Sequence, residues 1–399
     1  MTAASLRMGL LDAPGPSLRD HLATFGRLPA ADATELAQAS GLTGRGGAAF
    51  PTAVKLRSVA AARAPWRSPV VVGNAAEGEP ASAKDATLLE HAPHLVLDGL
   101  QLVADTLDAD DVVLAVPGDL MAALGTRLAE RRDGRPVRLH AAGDRFLAGE
   151  ESALVAAING AEPLPTSKVP PVRERGVRGR PTLVQNVETL ARLALLARGE
   201  DGAATRALVT RRVEAGGHPA VDVADVPLHT RLGELLPIAA GDRAVLVGGY
   251  HGTWLPAAAA RTLRLDPAEL SAAGAALGAG VLAVLPADRC GLRETARVVR
   301  YLAAESAGQC GPCLNGLPRI AAALDLIARP GPVPRRVLAD VRRWSQLVAG
   351  RGACRHPDGS VHLVTSALRV FSGEVSLHAS GRCSATSSRP FLPVPGRSR

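Results

Sequence analysis

The residues best suited to chemistry fall in four short strings. The first is Gly44-Arg45-Gly46-Gly47, followed by Phe50-Pro51 and Lys55. Glycine clusters let backbone N–H groups approach an anion, and a nearby ammonium neutralises it. A surface turn has the same composition, and the string matches neither common nucleotide-binding glycine signature. The second is Asn74-Ala75-Ala76-Glu77-Gly78-Glu79-Pro80, just after an apolar run. Acids at i and i+2, on a loop at the carboxyl edge of a strand, sit where α/β sheets bind ligands. They suit ribose hydroxyls or the orientation of a ring; a solvated acidic turn explains them equally well. The third is Gly149-Glu150-Glu151-Ser152, where adjacent acids complement a helix N-terminus. The fourth is Cys310-Gly311-Pro312-Cys313 with Cys354 further on. Iron–sulfur clusters are held by such thiolates, often with a distant ligand. Zinc is the rival but needs four ligands, for which His356, Cys290 and Cys383 are the further candidates. Two ordinary buried thiols are the plain alternative, and a thioredoxin-type dithiol is disfavoured by helical flanks.

These strings need elements to hold them. Pro69–Gly73 and Val137–His140 read as strands, and Asp111–Val116 as a buried strand ended by Pro117-Gly118. Helical spacing runs through Lys84–Leu107 and Met121–Arg131. The alternation predicts an α/β sheet with mostly parallel strands. Gly149–Gly160 opens as a helix start, and Glu162–Pro181 is an irregular Pro- and Arg-rich crossing. Gln185–Gly199 reads as an amphipathic helix capped by Asn186. From Val209 the texture turns to short apolar pieces between turns, a small β-rich insertion ending near Leu255. Gly278–Leu285 is a buried strand expected to rejoin the first sheet, and Arg293–Val348 reads as helices interrupted at Pro330–Pro334.

Composition bounds the function. The 399 residues are 47% apolar and 21% charged, which excludes wholesale disorder and a disulfide scaffold. Neither a secretory leader nor a membrane span is read in the chain, so the expectation is a cytoplasmic protein with reduced thiols. The net charge is +8, yet the arginines form no stripe and aromatics are 3%, so nucleic acid is not an expected partner. Only three of the 46 basic residues are lysines: Lys55, Lys84 and Lys168. In so arginine-rich a background, a lysine is either a chance survivor, the simpler explanation of the count alone, or the mark of a place for a compact ammonium that a guanidinium fork does not replace.

In this order, the strings GLTGRGGAAFPTAVK, NAAEGEPASAKD, GEESAL, RGRPTLVQNVETL and ESAGQCGPC, with a last cysteine at Cys354, resemble one family. It is the flavin-bearing, NADH-oxidising (F-type) subunit of respiratory complex I, with relatives in soluble hydrogenases and formate dehydrogenases. The resemblance runs from about Gly41 to about Phe371. It implies an α/β, Rossmann-like FMN domain, an inserted β-grasp (ubiquitin-like, SLBB-like) domain and a C-terminal helical bundle carrying a [4Fe–4S] cluster. The implied boundaries are 1–40 for an N-terminal extension, 41–205 for the FMN/NADH domain and 206–262 for the β-grasp domain. A return strand and linker would follow at 263–292, the helical domain at 293–379 and a disordered tail at 380–399.

The resemblance assigns roles residue by residue. Gly44, Arg45, Gly46, Gly47 and Lys55 fall in the FMN-contacting string. Asn74, Glu77 and Glu79 match the flavin and nucleotide pocket, and Gly149, Glu150 and Glu151 match its floor. Asn186 and Thr189 match the FMN phosphate end. Phe50 matches an aromatic on the adenine and Lys168 a lysine near the dinucleotide. Glu79 and Glu151 are the expected catalytic pair, and Cys310, Cys313 and Cys354 the metal ligands. FMN is the expected cofactor, NADH the substrate, and an iron–sulfur or ferredoxin-type protein the partner, with any membrane link made through partners. The sequence also departs from the pattern. Ala307 stands where the first cluster cysteine is expected, which leaves a cluster with a water or borrowed ligand, a three-iron cluster or no cluster; Ala76 replaces an acid, Phe146 a tyrosine, Ala148 a cysteine and Ser58 an aromatic. These departures keep two alternatives beside the NADH-oxidising flavoprotein: a flavin-binding reductase without its own cluster, and a non-catalytic scaffold paralogue in a redox complex. Each lost polar or stacking contact is worth on the order of 1 kcal/mol, which together implies NADH binding weaker by about one to three decades.

Overall fold

The computed structural model describes residues 8–396 apart from 65, 133, 333 and 335. The chain divides into two compact units. The first takes Met1–Gly78, Ala83–Leu208 and Asp225–Pro227; the second takes Glu79–Ser82, Val209–Ala224 and Leu228–Arg399.

The first unit contains helices α1 (Leu18–Phe25), α2 (Ala33–Ser40) and α3 (Thr52–Ala61) ahead of strand β1 (Val70–Asn74). Helices α4 (Lys84–His91) and α5 (Pro93–Leu107) lead to β2 (Asp111–Val116). Helix α6 (Met121–Ala129), β3 (Val137–Ala141), α7 (Glu151–Ile158), β4 (Thr182–Asn186) and α8 (Val187–Ala197) follow. The four strands are parallel in the order β3-β2-β1-β4. β1 and β2 are nearly continuous apolar runs because helices cover both faces of such a sheet. The helix expected over Lys84–Leu107 is two helices, since a proline disfavours helical geometry at Ala92 and cannot donate from Pro93. α5 then runs along α8 so closely that a Cβ at Gly99 would fall on the Leu190 carbonyl.

Two features escaped the sequence. β4 lies where the irregular crossing meets the helix cap: only five residues long, it runs straight into α8 with no turn to mark it. The packing of the N-terminal segment before residue 40 is the other, over its described residues. Leu10 is fully buried, and His21 of α1 bonds Asp98 of α5 at 3.0 Å. Residues 1–7 of that segment lie outside the described residues.

The sheet of the second unit contains β5 (Arg206–Ala215), β6 (His218–Pro227), β7 (Ala244–Val247), β8 (Thr253–Pro256) and β9 (Val281–Val284), in the order β6-β5-β9-β7-β8. The outer ends of β5 and β6 count with the first unit. Gly216 and Gly217, both at positive φ, make the two-residue turn between β5 and β6. β9 does not rejoin the first sheet as expected: it pairs parallel with β5 and antiparallel with β7. Its four residues are fully apolar and buried, a pattern that fits the middle of either sheet.

Short helices α9 (Leu232–Leu235), α10 (Ala257–Thr262) and α11 (Pro267–Ala272) lie between these strands in sequence. The helical part comprises α12 (Gly291–Ala304), α13 (Leu317–Ile327), α14 (Arg336–Val348), α15 (His356–Val370) and α16 (Ser372–Ala379). The expected break at Pro330–Pro334 lies between α13 and α14, with Val333 outside the described residues. The tail from residue 380 is not disordered over its described part. Phe391 and Leu392 are buried, and their N–H groups donate to the Glu294 carboxylate at 3.2 and 2.9 Å. A Ser/Pro/Arg composition concealed this one apolar pair. Residues 397–399 lie outside the described residues.

Candidate functional site

Strand order fixes where a ligand can enter the first unit. The sheet runs β3-β2-β1 and then jumps to β4, so the chain's connections diverge between β1 and β4. The carboxyl ends at such a point open a crevice, and here they are Asn74 and Asn186, which are register partners. Asn74 donates from Nδ2 to the Gly149 carbonyl at 2.9 Å and accepts the Ala76 N–H. Asn186 caps α8, accepting the Glu188 N–H at 3.0 Å, and donates to Asp85 at 2.7 Å. Two strings distant in sequence are thereby pinned to the same sheet edge.

The glycine loop reaches this edge as well. Gly44 N donates to the Phe50 carbonyl, closing the loop, and Arg45 N donates to the buried Thr189 hydroxyl at 2.9 Å. A Cβ at Gly46 would come 3.3 Å from the Asn186 Cβ, and Gly47 has φ of 102°. The Arg45 side chain turns inward and is spent on the Ala204 and Arg206 carbonyls. Only its backbone is left to line the loop. Phe50 is half exposed at 52%.

All three lysines meet carboxylates. Lys55 pairs with Glu151 at 2.8 Å and donates to the Val184 carbonyl of β4. Lys168 lies 3.5 Å from Glu150. Lys84 is buried and pairs with Asp85 at 2.6 Å and Glu188 at 3.2 Å. Burial opposes its charge, but Asp85, Glu188 and Glu77 outweigh burial and hold the ammonium above its usual range. Burial pushes the Asp85 carboxyl up to about 6; Lys84 pulls it down, while Glu77 and Glu188 push it further up. Both directions follow from one count: three carboxylates share one buried ammonium.

Several expected ligand residues also do local structural work. Glu150 caps α7, its carboxylate accepting the Ser152 and Ala153 N–H groups at 2.9 and 3.1 Å. Glu77 accepts the Asp85 and Ala86 N–H groups at the start of α4. Gly149 has no room for a Cβ, which would stand 2.6 Å from the Ala76 carbonyl. Glu79 falls in the second unit, where it accepts the Tyr250 N–H at 2.7 Å.

A cavity of about 490 Å³ opens at the carboxyl ends of β1, β2 and β3. Ala76, Glu77, Gly118, Asp119, Gly143 and Asp144 line it. That volume is of the size that takes a cofactor-sized group. Its carboxylates suit hydroxyl and amide donors, whereas the glycine loop, the α8 N-terminus and Lys55 suit an anion. The glycine loop, Lys55 and Asn186 do not line that cavity; they stand at the β1–β4 edge and offer a donor set that fits the phosphate of a flavin mononucleotide. Sequence reasoning missed Asp85 and Glu188, although both sit inside the quoted strings, and missed Asp119 and Asp144. An aspartate shortly after each of the strands β2 and β3 was the available signal.

The cysteines lie in the second unit. Cys310 and Cys313 flank a tight turn, with the Cys313 N–H donating to the Cys310 carbonyl at 3.0 Å, and a π-helical turn covers Pro312–Gly316. Burial pushes the Cys313 thiol up to about 12, and the neighbouring Cys310 and Cys354 push the same way. Cys313 thus neighbours both Cys310 and Cys354. Ala307 offers no donor, so this motif brings at most three protein ligands, where a full cluster takes four. His356 is turned to His251 and the Leu302 carbonyl. Cys290 and Cys383 gather elsewhere, with Glu374 and His378.

Known proteins align with both units. Residues 37–195 match the family model described as the Nuo51 FMN-binding domain. Residues 293–378 match the NADH-ubiquinone oxidoreductase-F iron-sulfur binding region. The F-type subunit of NADH-quinone oxidoreductase from Salmonella typhimurium is 30% identical over 375 residues, covering 84% of this chain and 81% of that protein. The second such subunit of Rhizobium meliloti is 27% identical, covering 87% and 89%. A chain of an NAD+-reducing [NiFe]-hydrogenase superposes with a TM-score of 0.75 at 25% identity. It covers 91% of this chain, which spans 63% of the hydrogenase chain. The two family models define a flavoprotein oxidoreductase with an iron–sulfur binding region. Within that class, this chain belongs to the family of F-type NADH-quinone oxidoreductase subunits.

Proposed function

We propose that the chain is an FMN-dependent oxidoreductase that takes a hydride from NADH and passes the electrons singly to an iron–sulfur centre or a partner protein. The observation that carries this reading is the convergence of the glycine loop, Asn74, Asn186 and Lys55 on the β1–β4 edge. Bound FMN would accept a hydride as a pair and release single electrons, a conversion no side chain performs. The residues supply position and charge. Gly44, Gly46 and Gly47 would admit the flavin phosphate to the backbone, with Asn186 and Thr189 bracing the loop. Phe50 offers an exposed ring for the adenine, and Lys168 a cation beside Glu150. Glu77 offers carboxylate oxygens to donors in the cavity, and Glu151 would hold Lys55 in place. Ala76 removes a carboxylate from that cavity, so NADH would bind more weakly than the family pattern implies. Glu79 braces the second unit, leaving its expected catalytic role to be tested by Glu79→Gln.

The five-stranded mixed sheet with the short α9 fits an inserted β-grasp domain, one that uses β9 as a member strand. Cys310, Cys313 and Cys354 would hold an iron–sulfur cluster. Partners would be iron–sulfur or ferredoxin-type proteins in the cytoplasm. Among the described residues no helix is long and apolar enough to cross a membrane, so a membrane link would run through those partners. One departure favours a second reading: with Ala307 at the first ligand position, the chain could reduce acceptors from its flavin without a cluster of its own.

An anaerobic absorption spectrum of freshly purified protein, before and after one addition of NADH, tests both. A flavin band that bleaches over a broad iron–sulfur shoulder is the expected result. Bleaching without the shoulder, and without iron, selects the second reading. A flavin band indifferent to NADH and NADPH would overturn the proposal.

A further inference from the structure

A second cysteine site lies apart in sequence from the cluster motif. It joins the N-terminus of α12, helix α16 and the tail. One ligand atom each from Cys290, Glu374, His378 and Cys383 lies within 4.8 Å of every other. Among the described residues this is the one set of three or more such groups that close. Three of the four residues are buried, and Cys383 is half-buried. Glu374 and His378 are four apart on α16, so they face the same way.

The hydrogen bonds fix which atoms point inward. His378 Nδ1 lies 2.9 Å from the Ile327 carbonyl, which can only accept, so Nδ1 carries the proton. In the neutral ring, Nε2 is then a lone-pair acceptor, with the Cys290 thiol within hydrogen-bond reach. Yet Nε2 faces Glu374 Oε1 at 3.2 Å and Cys290 Sγ at 3.6 Å. An imidazole lone pair and a carboxylate oxygen this close repel unless a cation or a proton stands between them. A backbone carbonyl on the far nitrogen is also the usual support of a metal-bound histidine. The distances suit a metal. Bond lengths of about 2.3 Å to sulfur and about 2.0–2.1 Å to nitrogen or oxygen give tetrahedral edges of about 3.6 Å (S to N) and about 3.3 Å (N to O).

The surroundings complete the set. Cys290 is the N-cap residue of α12. Cys383 bonds the Glu374 carboxylate. Arg243 holds the other carboxylate oxygen at 3.2 Å, and Ser384 N donates to Oε1 at 2.9 Å. Two thiolates and one carboxylate carry −3; a divalent cation leaves −1, and Arg243 offsets it. The thiol protons leave to solvent as the cation enters, with no redox change.

We propose that Cys290, Glu374, His378 and Cys383 form a tetrahedral site for a structural divalent zinc ion, which clamps the C-terminal tail to the start of α12. The soft thiolates and the imidazole favour zinc over magnesium or calcium. The proposal does not depend on the flavin reading.

The test loads the full chain with cobalt(II) as a spectroscopic substitute, after replacing Cys310, Cys313 and Cys354 by serine to silence the cluster motif. About one cobalt per chain is expected, with the visible bands of a tetrahedral ion and a thiolate charge-transfer band. Cys383→Ser, a change in the half-buried tail, should abolish the charge-transfer band or cut it to about half, with the fold checked by circular dichroism. Chelation should make the chain newly sensitive to proteolysis after residue 380. If the triple-serine chain binds no cobalt, or if its bands survive both Cys383→Ser and His378→Ala, the proposal is overturned. Mass mapping that finds a Cys290–Cys383 disulfide in reduced, freshly purified protein would also overturn it.

Discussion

Lys84 shows how a residue chosen for its rarity came to be central. It is buried among Glu77, Asp85 and Glu188, and Glu188 also binds Arg192 at 3.1 Å. Lys84→Met leaves Asp85 and Glu188 without that charge. It should cost about 3–5 kcal/mol of stability, as breaking a buried pair does, measured by urea denaturation of the FMN-loaded chain. Asp85 gives a test with a definite sign. Its carboxyl sits at about 6 in the folded chain against an ordinary 3.8. Between those values the folded state holds a proton that the unfolded chain has lost, so this group's contribution weakens the fold as pH rises through the window. Asp85→Asn removes that term. The stability of the variant relative to wild type should therefore improve from about pH 4 to about pH 7; an unchanged difference in urea midpoints would contradict the assignment. Asp98 has the opposite sign. Burial opposes its charge, but bonds from His21, Arg131 and Arg198 outweigh it and hold the carboxyl at about 2. Its stabilisation is present above the ordinary value and fades as pH falls toward 2.

At the scale of elements, the site depends on how closely α5, α8 and the loops approach one another. Gly99 lets α5 lie against the backbone of α8 at Leu190. Gly99→Ala should push α8 away, and with it Asn186, Glu188 and Thr189. A loss of about 1–3 kcal/mol is expected from overpacking, read by thermal denaturation together with a fall in bound FMN. Gly149→Ala separates the two roles of that residue. Its Cβ would press on the Ala76 carbonyl in the loop that carries Glu77. FMN retention should fall while the far-ultraviolet circular dichroism spectrum stays the same. Asn186 was legible as a helix cap because a short polar side chain precedes an apolar helical run. β4, immediately before it, was not legible, because a five-residue strand ending in a cap has no punctuation of its own.

Across the whole molecule, the tail is part of the second unit. Glu294 accepts two tail N–H groups, Arg297 donates to the Leu392 carbonyl and Tyr250 to the Pro393 carbonyl. Truncation after residue 388 exposes Phe391's and Leu392's binding surface and leaves the buried Glu294 without those donors. Unfolding of the second unit should occur earlier, while FMN content in the first unit stays near wild type. Differential scanning calorimetry beside a flavin spectrum reads both, and an unshifted transition would refute the tail's role.

Family, cofactor class and cluster motif were determined by the sequence itself, because each rests on residue types at short fixed spacing: glycines near a lysine, paired acids, two cysteines three apart. The parallel sheet was legible too, since strands buried on both faces read as apolar runs. What only the tertiary structure decided concerns partners far apart in the chain. The sequence could not say that β9 joins β5 and β7, because a fully buried strand carries no face preference to set its sheet. It could not say that each lysine meets a carboxylate of another string, or that the tail packs rather than wanders. Nor could it separate Cys290 and Cys383 from the cluster cysteines. Those two are 93 residues apart in number and meet His378 and Glu374 only because α12, α16 and the tail are packed together. Contacts of that kind depend on packing geometry, which no local pattern encodes.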